Sequence, residues 1–256
     1  MTAFRFGGLI VAVLLGYSVP TRASTILALL WHDVAVIAAD AKVRGMEDND
    51  IRTACKIFDV GNGMVFAVTG VGTFKDPTFV SYTLARAIAT QSSDVADAAI
   101  RYGEIAKPIL TAIWRKLGTQ FRKMLLHPQA YIFVMVKPDG ITASSGSFVE
   151  TPDGSLRLKL NHGKITRDEF RFIKMGFTSS IPSSEEVHEL VRRQGVQTTA
   201  EQLILQQAAQ TPDRVGGPVT VVRLDQRLGI QWLQPGVCQA GGVSPTQVPE
   251  VTPDLK

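Results

Sequence analysis

The sequence predicts an α+β fold in which two antiparallel sheets pack together with helices outside. Three observations predict it. Short apolar runs of strand-forming residues open the chain, and Gly61-Asn62-Gly63 separates two of them. Asn-Gly between two such runs is a hairpin signature. Later segments carry apolar residues at a helical period. Strands and helices then come in blocks: four strands, two helices, four strands, two helices, two strands. A parallel sheet would alternate them one by one, so blocks favour stacked antiparallel sheets.

The elements follow in order. Ser24–Trp31 is apolar and rich in strand formers, and Val34–Ala39 is a second run ending at Asp40. A charged, turn-like stretch from Arg44 to Asp50 follows, then the strands Cys55–Val60 and Met64–Thr69. Pro77–Thr90 places Phe79, Val80, Leu84, Ala87 and Ile88 close to a helical period. Asp94–Leu126 reads as a second helical region, kinked or broken at Pro108. Strands return at Tyr131–Val136, Ile141–Val149, Ser155–Leu160 and Phe170–Met175, with Pro-Asp-Gly turns at 138–140 and 152–154. Ser183 or Ser184 caps a helix from Glu185 to Arg193, and Gly195 ends it. Thr199–Gln210 is a further helix, and Val219–Leu224 with Ile230–Leu233 forms a closing hairpin. Residues 234–256 are rich in Pro, Gly, Gln and Ser and read as a disordered tail.

Composition narrows the function. The 256 residues are 45% hydrophobic and 20% charged, which is globular rather than disordered. The net charge of +4 and the pI of about 9.1 raise a nucleic-acid reading. Residues 1–23 remove its main support. Arg5 is followed by an 11-residue apolar run from Gly7 to Tyr17, then Pro20 and a small residue, Ala23. That is the layout of a secretory signal peptide, and the run is too short to span a membrane. Cleavage after Ala23 leaves 233 residues with a net charge of +2. The expected organisation is therefore a signal peptide (1–23), one domain (24–233) and a tail (234–256). The protein is exported to a periplasm or the extracellular space, with neither nucleic acid nor membrane as a partner.

An exported protein could bridge Cys55 and Cys238, although two cysteines make no disulfide framework. The four histidines are scattered, with no metal-ligand spacing, and no cofactor or metal is expected.

The chemistry lies at the cleavage site. A serine at position 24 of the mature chain carries a hydroxyl and a free α-amine on one residue. An α-amine has a pKa of about 7.7–8.0, so part of it is neutral and able to act as a base at pH 7. It then serves as general base for its own hydroxyl. A nearby cation lowers its pKa further, and a carboxylate must hold that cation.

At this point the sequence resembles a known family. Ser-Thr-Ile-Leu-Ala-Leu at 24–29, Val-Ile-Ala-Ala-Asp at 36–40, Cys-Lys-Ile at 55–57 and Phe-Ala-Val-Thr-Gly at 66–70 are similar to proteasome β-subunits and HslV-type N-terminal nucleophile hydrolases. Ser24, Asp40, Lys56 and Gly70 stand 16, 16 and 14 residues apart, the family's intervals without a gap. The resemblance is strong over residues 24–74 and weaker, but in order, to residue 233. It implies a four-layer αββα sandwich. It implies Ser24 as nucleophile, with its α-amine as base working through a water. Lys56 would keep the amine's pKa low, Asp40 would pair with Lys56, and the Gly70 N–H would donate to the oxyanion. Thr25 is the rival nucleophile, but its interval to Asp40 is one residue short. The matching positions for a first substrate pocket are Val43, Ala54, Val68 and Gly72, all uncharged and small to medium, which implies an apolar side chain. The family also implies self-association into a homo-oligomeric ring.

Two departures stand out. The family's supporting serine sits in a Gly-Ser-Gly turn. Ser144-Ser145-Gly146-Ser147 has its letters, while Met175-Gly176-Phe177-Thr178-Ser179 has its place, with Thr178 or Ser179 as substitutes. The family's Asp-x-x-Ser-Gly-Gly appears as Asp213-Arg214-Val215-Gly216-Gly217, without the serine. The reading is thus an exported amidohydrolase, a peptidase acting on peptide bonds. The alternatives are an amidase on a small non-peptide amide and an inactive binding or assembly protein. If signal cleavage falls after Ala23, it also creates the base, because the nitrogen of Ser24 is an amide until then.

Overall fold

A computed structural model describes residues 24–44, 51–75, 77–119, 122, 125, 127–166 and 169–238. The expected signal peptide and residues 239–256 of the expected tail lie outside them, as does most of the charged stretch before Ile51.

The chain opens with β1 (Thr25–Trp31) and β2 (Val34–Asp40), a hairpin in which Ile26 faces Ala39. The short ribbon β3 (Lys42–Arg44) and β4 (Ile51–Thr53) follows. Next comes the hairpin of β5 (Ile57–Gly61) and β6 (Met64–Gly70). Asn62 and Gly63 between them both have positive φ, as an Asn-Gly turn requires. A second ribbon, β7 (Thr73–Lys75) and β8 (Thr78–Val80), leads into α1 (Ser81–Ala89) and α2 (Val95–Lys116). The Asp94 carboxylate caps α2 by accepting from the amides of Ala96 and Asp97, and Pro108 stands inside the helix. Four strands follow: β9 (Gln129–Lys137), β10 (Gly140–Glu150), β11 (Leu156–Ile165) and β12 (Phe170–Gly176). Then come α3 (Ser184–Gln194), α4 (Val196–Gln210), β13 (Val219–Asp225) and β14 (Gly229–Gln234). A capping box of Ser183 and Glu186 starts α3.

Two five-stranded sheets result, in the orders β12-β1-β2-β13-β14 and β11-β10-β9-β6-β5. Their inner faces meet through Ile26, Ala28, Leu30 and Ile37 on one side and Ile57, Val65, Ala67 and Ile132 on the other. The alternate residues of β1, Leu27 and Leu29, pack with Val187, Val191 and Leu203 of α3 and α4. Phe66 and Phe133 pack with Tyr102, Ala106 and Leu110 of α2. The central strands are therefore buried on both faces, which is why they read as continuous apolar runs. Each such Leu, Ile or Phe is worth about 1.5–3 kcal/mol of burial.

The expected four-layer αββα sandwich needs correction. The described residues are mostly antiparallel β-sheet, 43% strand against 30% helix, with four helices of defined extent and several sheets among them. Sequence periodicity overstated the helices. Thr78–Val80 is strand rather than part of a helix from Pro77. The second helix ends at Lys116, where Leu117 turns to an extended backbone (ψ 129°). It also missed β3, β4, β7 and β8, whose three-residue strands are too short to show a period of two.

The expected tail is also corrected over its first residues. Gln234 belongs to β14, and Cys238 is bonded to Cys55.

Candidate active site

Asp40 closes β2, and pairing with β1 sets its carboxylate beside the start of the chain's first strand. It is buried, and four donors converge on it. The Thr25 N–H and the Lys56 ammonium donate to Oδ1 at 2.7 and 2.9 Å. The N–H groups of Lys42 and Gly216 donate to Oδ2 at 3.1 and 3.2 Å. Such a set suits the acceptor-only oxygens of an ionised carboxylate. It also explains why an aspartate ends an otherwise apolar strand.

Lys56 is 5% exposed. Its Nζ donates to Asp40 and, at 2.8 Å, to the carbonyl of Lys42. Burial pushes its pKa below the ordinary lysine value, and the charge and hydrogen bond of Asp40 oppose that push. A buried ion pair contributes little net stability, so its presence here is better explained by chemistry than by folding.

Ser24 lies directly before β1. Its hydroxyl donates to the same Lys42 carbonyl, at 3.4 Å. Ser24 and Lys56 thus converge on one oxygen, with Asp40 behind the lysine. The other side of Ser24 is pinned by the end of β12, where the Phe177 N–H donates to the Ser24 carbonyl at 2.8 Å. Gly176 makes this approach possible. It has a φ of +84°, and a Cβ there would stand 1.8 Å from the Ser24 oxygen and 3.2 Å from Thr69 Oγ1. The end of β6, which carries Thr69 and Gly70, therefore borders Ser24. Gly70 itself has a φ of +91° and is exposed.

The other expected residues are placed as follows. Thr25, the rival nucleophile, is fully buried, and its hydroxyl donates to the Phe177 carbonyl at 2.5 Å. Of the two serine-bearing segments, 175–179 meets Ser24 through the backbone of Phe177. Ser144 lies within β10, its hydroxyl 2.7 Å from His162 Nδ1. Thr178 is half-buried and Ser179 exposed, and neither hydroxyl is bonded to Ser24 among the described residues. Asp213 is exposed on the loop whose Gly216 grips Asp40. In that loop the Arg214 guanidinium lies 4.4 Å over the Phe177 ring.

Ala54 and Val68 are buried beside Lys56, and the Val68 N–H donates to the Lys56 carbonyl at 3.0 Å. Val43 and Gly72 are half-buried. A separate cleft of about 370 Å³, lined by Trp31, His32, Gln194 and Arg223, lies at the other end of β1 and holds none of these residues.

Sequence reasoning missed the backbone partners: the Lys42 carbonyl, the Phe177 and Gly216 amides, and the close approach at Gly176. Main-chain groups carry no signature in residue type. The altered Gly216-Gly217 pair was the one visible trace. Among the described residues, no group of three or more His, Cys, Asp or Glu is placed to hold a metal ion. Nor is any helix among them long and apolar enough to cross a membrane. The chain matches no protein-family model and no curated protein.

Proposed function

We propose that the mature chain is an exported N-terminal nucleophile amidohydrolase acting on peptide bonds. The observation that carries this reading is the convergence of the Ser24 hydroxyl and the buried Lys56 ammonium on the Lys42 carbonyl, with Asp40 behind the lysine. The α-amine freed at Ser24 takes the hydroxyl proton through a water. Ser24 Oγ attacks the scissile carbonyl, and the Gly70 N–H stabilises the oxyanion. The amine returns the proton to the leaving nitrogen, leaving an ester on Ser24. Water activated by the same amine then hydrolyses the ester. Lys56 favours the neutral, basic form of the amine because two cations in proximity repel. None of these steps calls for a cofactor or metal.

Export is supported by the Cys55–Cys238 disulfide, since such bonds persist in oxidising compartments. Cleavage after Ala23 would then both export the protein and create its base.

The test is hydrolysis of a panel of short fluorogenic peptides by the chain beginning at Ser24. Turnover with apolar residues before the scissile bond, lost in Ser24→Ala, is the expected result. Preference for Arg or Asp there would reject the apolar pocket. One observation favours the small-amide alternative: Ala54 and Val68 are 9% and 6% exposed, which leaves little room beside Lys56. Cleavage of simple amides but no peptide would decide for it. Unchanged labelling of Ser24→Ala by a nucleophile-directed electrophile would leave the binding-protein alternative.

A further inference from the structure

Beyond the Ser24–Asp40–Lys56 constellation lies a second buried polar cluster, centred on Gln129. Gln129 is fully buried at the start of β9 and pairs with Gly70 across the ladder. Its side-chain Nε2 donates to the Val71 carbonyl and, at 2.9 Å, to Ser81 Oγ. Its Oε1 accepts from the Tyr102 hydroxyl at 2.9 Å. Burial pushes the Tyr102 phenol above its ordinary pKa, so it stays a donor and fixes which way the amide faces. The backbone repeats the clamp. The Val71 N–H donates to Pro128 O at 2.8 Å, and the Ser81 N–H donates to Gly72 O at 2.9 Å. At Gly70 a Cβ would stand 2.5 Å from Pro128 O.

The direction of the Gly70 amide follows from the ladder. Successive N–H groups along an antiparallel strand point to opposite sides. The Val68 N–H goes to Lys56 O and the Val71 N–H to Pro128 O. Gly70 shares the parity of Val68, so its N–H faces the Lys56 side. A polar cluster of this kind inside an apolar core is costly unless satisfied. Here the Gln129 amide holds Val71 directly and Ser81, itself bonded to Gly72 and Val71, while Tyr102 holds the amide.

Resting on the proposed Ser24 reaction, we propose that Gln129 is a positioning residue for the oxyanion hole. It holds residues 70–72 so that the Gly70 N–H points at the developing oxyanion, with Tyr102 and Ser81 fixing its orientation. It does not touch the substrate.

The experiment measures kcat and KM on a turned-over peptide for the mature chain, Gln129→Met and Tyr102→Phe. It adds the affinity of a peptide aldehyde, which mimics the tetrahedral state. Gln129→Met is expected to lower kcat about 10- to 100-fold with KM within about threefold, as misplaced transition-state donors do. The aldehyde affinity should fall in step with kcat. Tyr102→Phe keeps the ring and should show the same signature more weakly, and it decides the matter if Gln129→Met does not fold. A purely packing role would not separate kcat from KM. Unchanged kcat and aldehyde affinity in Tyr102→Phe and in folded Gln129→Met, or a rise in KM alone, overturn the positioning role while the reaction stands. If the wild-type chain shows no turnover, or Ser24→Ala turns over equally, the reading of the site falls and this role with it.

Discussion

At the scale of single residues, the candidate site turns on Asp40 and Lys56. Removing Lys56 leaves Asp40 buried with its three backbone donors, so the carboxylate is only partly orphaned. Lys56→Met is expected to cost about 3 kcal/mol, the lower end for a broken buried pair. Asp40→Asn should cost at least as much, because one of its oxygens becomes an NH2 facing N–H donors. Urea unfolding of these variants, made in the chain beginning at Ser24, checks both. A cost near zero for Asp40→Asn would contradict the four-donor arrangement. His127 gives a test by pH. Burial lowers its pKa from 6.5 to about 4. Between those values the unfolded chain binds a proton that the folded chain does not. Stability therefore rises with pH through that window and is lost as pH falls from about 6.5 to about 4. His127→Asn should flatten that part of the urea midpoint against pH. An unchanged slope would show that other groups set it.

At the scale of elements, β12 and the end of the chain hold the site together. Gly176→Ala would push a methyl into the Ser24 carbonyl, and positive φ already disfavours alanine there. A loss of about 2–4 kcal/mol is expected, in the range of backbone strain and overpacking. Turnover should fall as well, since residue 24 must shift. The disulfide ties Cys238 to Cys55, the neighbour of Lys56, across 183 residues. Cys238→Ser should lose about 2–5 kcal/mol, and wild type in reductant should fall to the same midpoint. A wild-type midpoint that reductant does not move would argue against a formed bond. Much at this scale was legible. The hairpins, the Asn62-Gly63 turn and the α3 cap carry local signals that tertiary context did not override. The short ribbons were not legible, because three residues hold no period. Nor were the start of α1 and the end of α2, because apolar Val80 and Leu117 fit the helical period but are extended. The sequence does not settle the disulfide, since Cys238 sits among Pro and Gly residues that read as loose chain, although Gln234 still pairs with Val221.

At the scale of the whole molecule, the block pattern correctly separated antiparallel from parallel sheets. It did not give the balance of strand to helix, and the four-layer αββα sandwich that the resemblance implied is corrected to a mostly antiparallel β-sheet structure. Patterning registers which residues are buried, while the extent of each helix depends on where the chain must turn. The candidate site was half legible. Ser24, Asp40 and Lys56 are the residues the resemblance implies, and the structure brings Ser24 and Lys56 to one carbonyl with Asp40 bonded to the lysine. The Lys42, Phe177 and Gly216 backbone groups were hidden because only folding assembles them. Under the proposed function, cleavage after Ala23 would accompany export and arm the molecule, since the Ser24 nitrogen is a base only when free. The most direct measurement is covalent labelling by a nucleophile-directed electrophile, mapped by peptide mass spectrometry. It compares the chain beginning at Ser24 with one retaining residues 1–23. An adduct at Ser24 in the first and none in the second is predicted. Equal labelling of both, or an adduct on any other residue, would contradict the claim that the first residue of the mature chain is its nucleophile.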